Sequence, residues 1–182
     1  MITAILGTQR YGGGLTWGMR RLVSVVAVLS LAGCTPSPPM PAPSPAAPAP
    51  VASPVAGGCG DTPVWSGSPP VWTADAGLPS GSRFVLSHEE NLVGVLFAFP
   101  LLAQSPPNGP NNKILWIARE SREGRPLRLA LRHDQNTVET EEPANSGPGE
   151  IYPSIVDVTG PGCWSVTAEW AGHRATLELL YT

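Results

Sequence analysis

Two stretches near the end of the chain leave little freedom for its fold. CWSVTAEW sets Trp164, Val166, Ala168 and Trp170 opposite Ser165, Thr167 and Glu169. RATLELLY sets Ala175, Leu177, Leu179 and Tyr181 opposite Arg174, Thr176 and Glu178. Side chains of an extended chain point alternately to two faces, so a period of two marks half-buried strands. Only Ala171, Gly172 and His173 separate the two stretches, which predicts a tight hairpin. PLRLALR repeats the pattern, with Leu127, Leu129 and Leu131 on one face. LVGVLFAFP and KILWIAR are apolar on both faces and read as central strands; RFVLS is a weaker strand. No stretch carries a long helical period, and Gly/Pro clusters recur at SPPNGPNN, REGRP, NSGPGE and TGPGC. Short strands between such turns predict an all-β sandwich or barrel. Residues 59–182 are about 124 in number, enough for one core and not for two.

Residues 149–181, GEIYPSIVDVTGPGCWSVTAEWAGHRATLELLY, resemble the last portion of an immunoglobulin-like sandwich. There a turn leads into a strand and a hairpin returns along the final one. The resemblance implies a single immunoglobulin-like antiparallel β-sandwich over 59–182. The blocks NKILW (Asn112–Trp116), GEIYPS (Gly149–Ser154) and PGCW (Pro161–Trp164) are also similar to blocks in small bacterial lipoproteins with such a C-terminal domain. That resemblance implies no particular activity and carries over no site residue.

The N-terminal part has a different grammar. Arg20 and Arg21 precede a ten-residue apolar run, Leu22–Leu31, then Ala32, Gly33 and Cys34. A charged start, a short apolar core and small residues describe a secretory signal; a spanning helix needs about 20 apolar residues. LAGC, Leu31–Cys34, resembles the lipobox of bacterial lipoproteins, which implies cleavage before Cys34 and a diacylglyceryl group on its sulfur. A thiolate is the side-chain nucleophile suited to that alkylation. The expected location is therefore the outer face of the cell membrane, or the periplasmic side of a membrane where there are two. Residues 19–33 are read as the lipoprotein signal, with Met19 as the start and 1–18 as a mis-called extension. General secretion fits the flanks of the arginine pair better than twin-arginine export.

Residues 34–56 follow as a lipidated cysteine and a Pro/Ala/Ser-rich tether, with nine prolines between Pro36 and Pro54 and no charge. Proline fixes φ and removes a donor, so this segment is read as a semi-rigid disordered spacer with a reach of up to roughly 70 Å. All 14 acidic residues lie after Cys34, with 8 of the 11 basic ones, so the mature chain carries about −6. With no basic patch, nucleic acid is not the expected partner. Once Cys34 is lipidated, Cys59 and Cys163 remain, an even pair that reads as a disulfide in an exported domain.

Chemistry is sparse. His88, His133 and His173 lie in separate segments with neither HxH nor HExxH spacing, and SHEEN and RHDQN read as exposed polar turns. No GxSxG elbow or phosphate-cradling loop is present. The chain is read as a non-enzyme with no catalytic residue, cofactor or metal. TVETEEP, residues 137–143, reads as a solvated edge strand guarded by charge; the competing weak calcium site lacks the loop spacing of known cages. PVWSGSPPVW makes Trp65 and Trp72 candidate ligand-binding residues that could stack on sugar rings or fill a partner's pocket. The competing reading folds both back over an open end of the sandwich. The expected function is a membrane-anchored, non-catalytic binding or scaffold module whose partner is wall glycan or another envelope protein. The alternative is a proteinase-inhibitor-like blocker presenting Ser105–Asn112 or Asn145–Glu150.

Overall fold

The computed structural model describes residues 51–144 and 147–182. The extension, the signal, Cys34 and most of the tether lie outside the described residues, as do two residues of the Asn145–Glu150 loop. Ten strands follow in order: β1 (Ser53–Cys59), β2 (Thr62–Gly67), β3 (Ser82–Leu86), β4 (Leu92–Leu96), β5 (Lys113–Ala118), β6 (Leu127–His133), β7 (Asn136–Glu142), β8 (Ile151–Ile155), β9 (Gly162–Trp170) and β10 (His173–Tyr181). A 3₁₀ helix, Val71–Ala76, interrupts them after β2. No helix among the described residues is long and apolar enough to cross a membrane.

The strands form two antiparallel sheets packed into an all-β sandwich, one ordered β1-β2-β3-β4-β5-β8 and the other β10-β9-β6-β7. β5 pairs with β8 and β6 with β9. Those two crossings are the Greek-key connections of an immunoglobulin-like sandwich, with β1–β3 added as a meander on one edge. The hairpin expected at 171–173 is present: Ala171 and Gly172 have φ of 44° and 84° between β9 and β10, as a type I′ turn requires.

The main core lies between the sheets. Trp116, Trp164, Trp170, Tyr152 and Tyr181 are fully buried there, with the alternating leucines of β6 and β10. Each fully buried aliphatic side chain contributes about 1.5–3 kcal/mol. Gly94 faces inward in β4, where a Cβ would stand 2.8 Å from the Trp116 ring, so this strand position is left empty to admit the indole. Two of the core aromatics place their polar atoms on partners, as burial demands: Trp116 Nε1 donates to Ser154 Oγ at 2.9 Å and the Tyr181 hydroxyl to Val156 O at 3.1 Å, whereas the buried Trp170 Nε1 meets none among the described residues. Burial pushes the phenol of Tyr152 up to about 12, and that of Tyr181 up as well.

The six-stranded sheet buries residues on its other face too. Phe84, Val93, Val95 and Ile117 form a second cluster, covered by Trp65, Trp72 and Leu78. This explains why the segments of β4 and β5 read as apolar on both sides. One boundary differs from expectation. β1 begins at Ser53, inside the stretch read as tether, and pairs with β2 through Ser53–Ser66, Pro54–Trp65 and Val55–Val64. Pro54 is tolerated because β1 is an edge strand. Pro63 is tolerated in β2 because it faces a register shift between Val55 and Cys59 and has no partner in either ladder.

Candidate functional site

Cys59 of β1 and Cys163 of β9 are joined as a disulfide, with Cα atoms 5.8 Å apart across 104 residues of sequence. The bond ties the outermost strand of one sheet to an inner strand of the other.

Trp65 and Trp72 meet in one cluster, but over the outer face of the six-stranded sheet rather than at an end of the sandwich. Trp65 stands on β2 opposite Phe84, and Trp72 sits in the 3₁₀ helix. Both are half-buried. The helix is held by Thr73, whose hydroxyl donates to Pro70 O at 2.8 Å, and Gly77 closes it with a φ of 62°. Their packing is that of a satellite core, with each tryptophan left partly exposed.

A set of polar contacts that the sequence reading did not anticipate lies along the outer edge of β10. The Thr62 hydroxyl donates to Glu178 Oε2 at 2.6 Å and accepts the Glu178 N–H at 2.9 Å. His88 Nε2 faces the same carboxylate at 3.1 Å and Thr62 Oγ1 at 3.2 Å, and since that carboxylate only accepts, the ring nitrogen donates. Glu89 accepts from both the N–H and the hydroxyl of Thr176, each at 2.7 Å. Burial works against its charge, but the two Thr176 donors outweigh that and hold its carboxyl below the usual range. The His88 N–H donates to Thr176 O at 2.9 Å and Asn91 Nδ2 to Arg174 O at 3.1 Å. SHEEN is thus a turn, as read, and it docks on β10.

The loop Ser105–Asn112 is exposed from Pro106 to Asn111 and clasped at its base. Asn112 is 1% exposed; its N–H donates to Ser105 Oγ at 3.1 Å and its Nδ2 to Asp157 Oδ1 at 2.7 Å, which also accepts the Ser105 hydroxyl at 2.6 Å.

The outer face of the four-stranded sheet is charged. A depression of about 550 Å³ is lined by Arg128, Ala130, Arg132, Glu139, Thr167 and Arg174, among others. A neighbouring one of about 620 Å³ shares Arg128, Glu169 and Arg174 and reaches Trp170 and His173 at the hairpin. Arg128 is engaged by Glu141 at 2.8 Å, which raises the pKa of the guanidinium. His133 is used elsewhere: its ring packs on Trp164 with centroids 5.5 Å apart, and Nδ1 lies 3.0 Å from Cys163 O. Among the described residues no three His, Cys, Asp or Glu side chains gather as a metal site needs. Comparison with protein-family models, with curated proteins and with solved structures finds no match to this chain.

Proposed function

We propose that this chain is a membrane-anchored extracytoplasmic lipoprotein, a non-catalytic binding or scaffold module of the cell envelope that carries its lipid on Cys34 and engages wall glycan or another envelope protein. The observation that carries the reading is the Cys59–Cys163 disulfide. Such bonds persist in oxidising compartments, and this one stands downstream of LAGC. The rigid sandwich and the charged outer sheet face support a binding role, while fold alone assigns none. The test is metabolic labelling with an alkyne fatty acid in a bacterial host. The full-length chain should take up label and sediment with envelopes, and Cys34→Ala should do neither. Label on the Cys34→Ala variant, or a wild-type chain that stays unlabelled, sinks the anchor.

The clasped loop favours a second reading. A protease inhibitor presents an exposed segment whose ends are held, and Pro106–Asn111 is such a segment. Titration against serine, cysteine and metalloproteases tests it; turnover of the loop as a substrate by all of them removes it.

A further inference from the structure

The two sheets have four edges, and three are obstructed. β10 is overlaid by Thr62, His88, Glu89 and Asn91, then by Leu101, which bridges Tyr181. β1 carries Pro54 and a register shift. β8 carries Pro153. These are the devices by which proteins stop strands from adding to a sheet. β7 has none of them. It pairs with β6 over seven consecutive residues, from Leu127–Glu142 to His133–Asn136, with no shift and no proline. Among the described residues its backbone makes no hydrogen bond except to β6. Every second residue of such an edge turns its N–H and C=O outward.

Charge decides what can use this edge. One cross-strand row on the outer face reads Glu141, Arg128, Glu169, Arg174 from β7 to β10. The signs alternate, and the Glu141–Arg128 pair closes at 2.8 Å. A fifth strand would continue the row beside Glu141, where the alternation calls for a cation. In the adjacent row Glu139 stands opposite Ala130 and has no ion-pair partner among the described residues. A cation beside it would be its first. A second copy of this chain does not fit: pairing β7 with β7 sets glutamates against glutamates, and like charges facing each other destabilise a sheet.

We propose that β7 is a strand-addition site for an extended, basic segment of another protein, one with Lys or Arg at alternate positions facing Glu139 and Glu141. Main-chain bonds to β7 would give the affinity and the glutamates the choice of partner. The inference deepens the binding-module reading and rests on it, though not on the lipid.

The probe is a capped seven-residue peptide alternating valine and lysine, titrated into the full-length chain by calorimetry, with hydrogen exchange read at β7. Binding should slow exchange at alternate β7 amides. Two further peptides are N-methylated, one at every valine and one at every lysine. They keep the charge, and each removes one alternating set of donors. Only one half can face β7, so one form should lose affinity by about tenfold or more while the other keeps it. Glu139→Lys should weaken the lysine peptide and admit its glutamate counterpart. Equal binding of both methylated forms would mean charge without pairing and overturns the proposal, as does no binding of the parent peptide. Capture of the Cys34→Ala chain, which has no sulfur at position 34 to carry a lipid, on isolated wall sacculi or lipid-extracted envelope protein separates the two readings. Capture without peptide binding removes the strand site alone; loss of both removes the binding module too.

Discussion

Along β10, the outward backbone groups meet partners at Arg174, Thr176, Glu178 and Thr182, a partner at nearly every second residue. Along β7, at the other end of the same four-stranded sheet, no backbone group meets anything but β6 among the described residues. Both strands are regular and of similar length, so strand propensity does not separate them. What separates them is the company each keeps. β10 lies beside β1 and β2, whose Cys59 and Thr62 reach across the sandwich, and beside the β3–β4 turn. β7 packs Val138 against the core and passes near β8, but no group among the described residues hydrogen-bonds its outward backbone. One edge is closed by hydrogen bonds that cannot be exchanged for a new strand. The other is protected by charge alone, which repels its own kind and remains open to the opposite sign.

The disulfide is the strongest fastening on the closed side, and cutting it is the most severe way to break the contrast. In the chain-entropy model a bond closing about 100 residues stabilises by up to roughly 4.7 kcal/mol, and measured losses run about 2–5 kcal/mol. Cys59→Ser with Cys163→Ser should lower stability by that order in urea denaturation, and β10 amides should lose more protection than β7 amides. Next comes Thr62→Val. Thr62 is 2% exposed, and its hydroxyl serves both the N–H and the carboxylate of Glu178. Removing it takes a partner from two half-buried groups of Glu178, at about 1–3 kcal/mol. Equal loss of protection at both edges would show that Thr62 supports the core generally rather than this edge.

How much of this the sequence discloses depends on how local the cause is. The alternation of β6, β9 and β10, the Ala171–Gly172 turn and the acidic edge character of β7 are consequences of neighbouring residues, and all are legible. The Cys59–Cys163 pair is legible because only two cysteines follow Cys34. β1 and the strand character of Trp65 are not. Pro54 and Pro63 argue against a sheet locally; the edge position of β1 makes room for the first and the register shift for the second, and both are properties of the paired strands. Trp72 looks like a loose loop residue until the second apolar face of β3–β5 supplies something to cover. The closure of β10 is the least visible, because its bonds to Asn91, Glu89 and Thr62 join residues 83 to 116 positions apart. Nothing in SHEEN says that its turn will land on a strand near the far end of the chain.

A gentler probe of the closed edge is pH. Glu89 has an ordinary value near 4.5 and is held lower in the folded chain: burial opposes the charge, but the Thr176 N–H and hydroxyl prevail. A depressed carboxyl contributes stability that is present above its unfolded value and is lost as pH falls through the folded one. Wild-type stability should therefore decline as pH falls below about 4.5, and Glu89→Gln should flatten part of that decline while lowering stability at neutral pH. The carboxylate is largely solvated, so the effect should be smaller than that of Thr62→Val. An unchanged acid limb in the variant would show that the Thr176 contacts do not hold the turn.

The smallest effect on stability belongs to the open edge. Glu139 is exposed and opposite Ala130, so Glu139→Gln removes no ion pair and should stay within about 0.5 kcal/mol of the parent. A near-silent substitution there is informative because the closed edge predicts the contrary for its own glutamates. Glu89 and Glu178 each serve partners on β10 or β2, whereas Glu139 serves none among the described residues. If Glu139→Gln costs as much as Thr62→Val, the β7 edge is structurally engaged and the asymmetry between the two edges disappears. If it costs nothing while changing what the edge admits, the glutamate acts on partners and not on the fold. That outcome would make β7 a surface whose chemistry is free to be set by recognition, because the stability of the sandwich is carried on its opposite side.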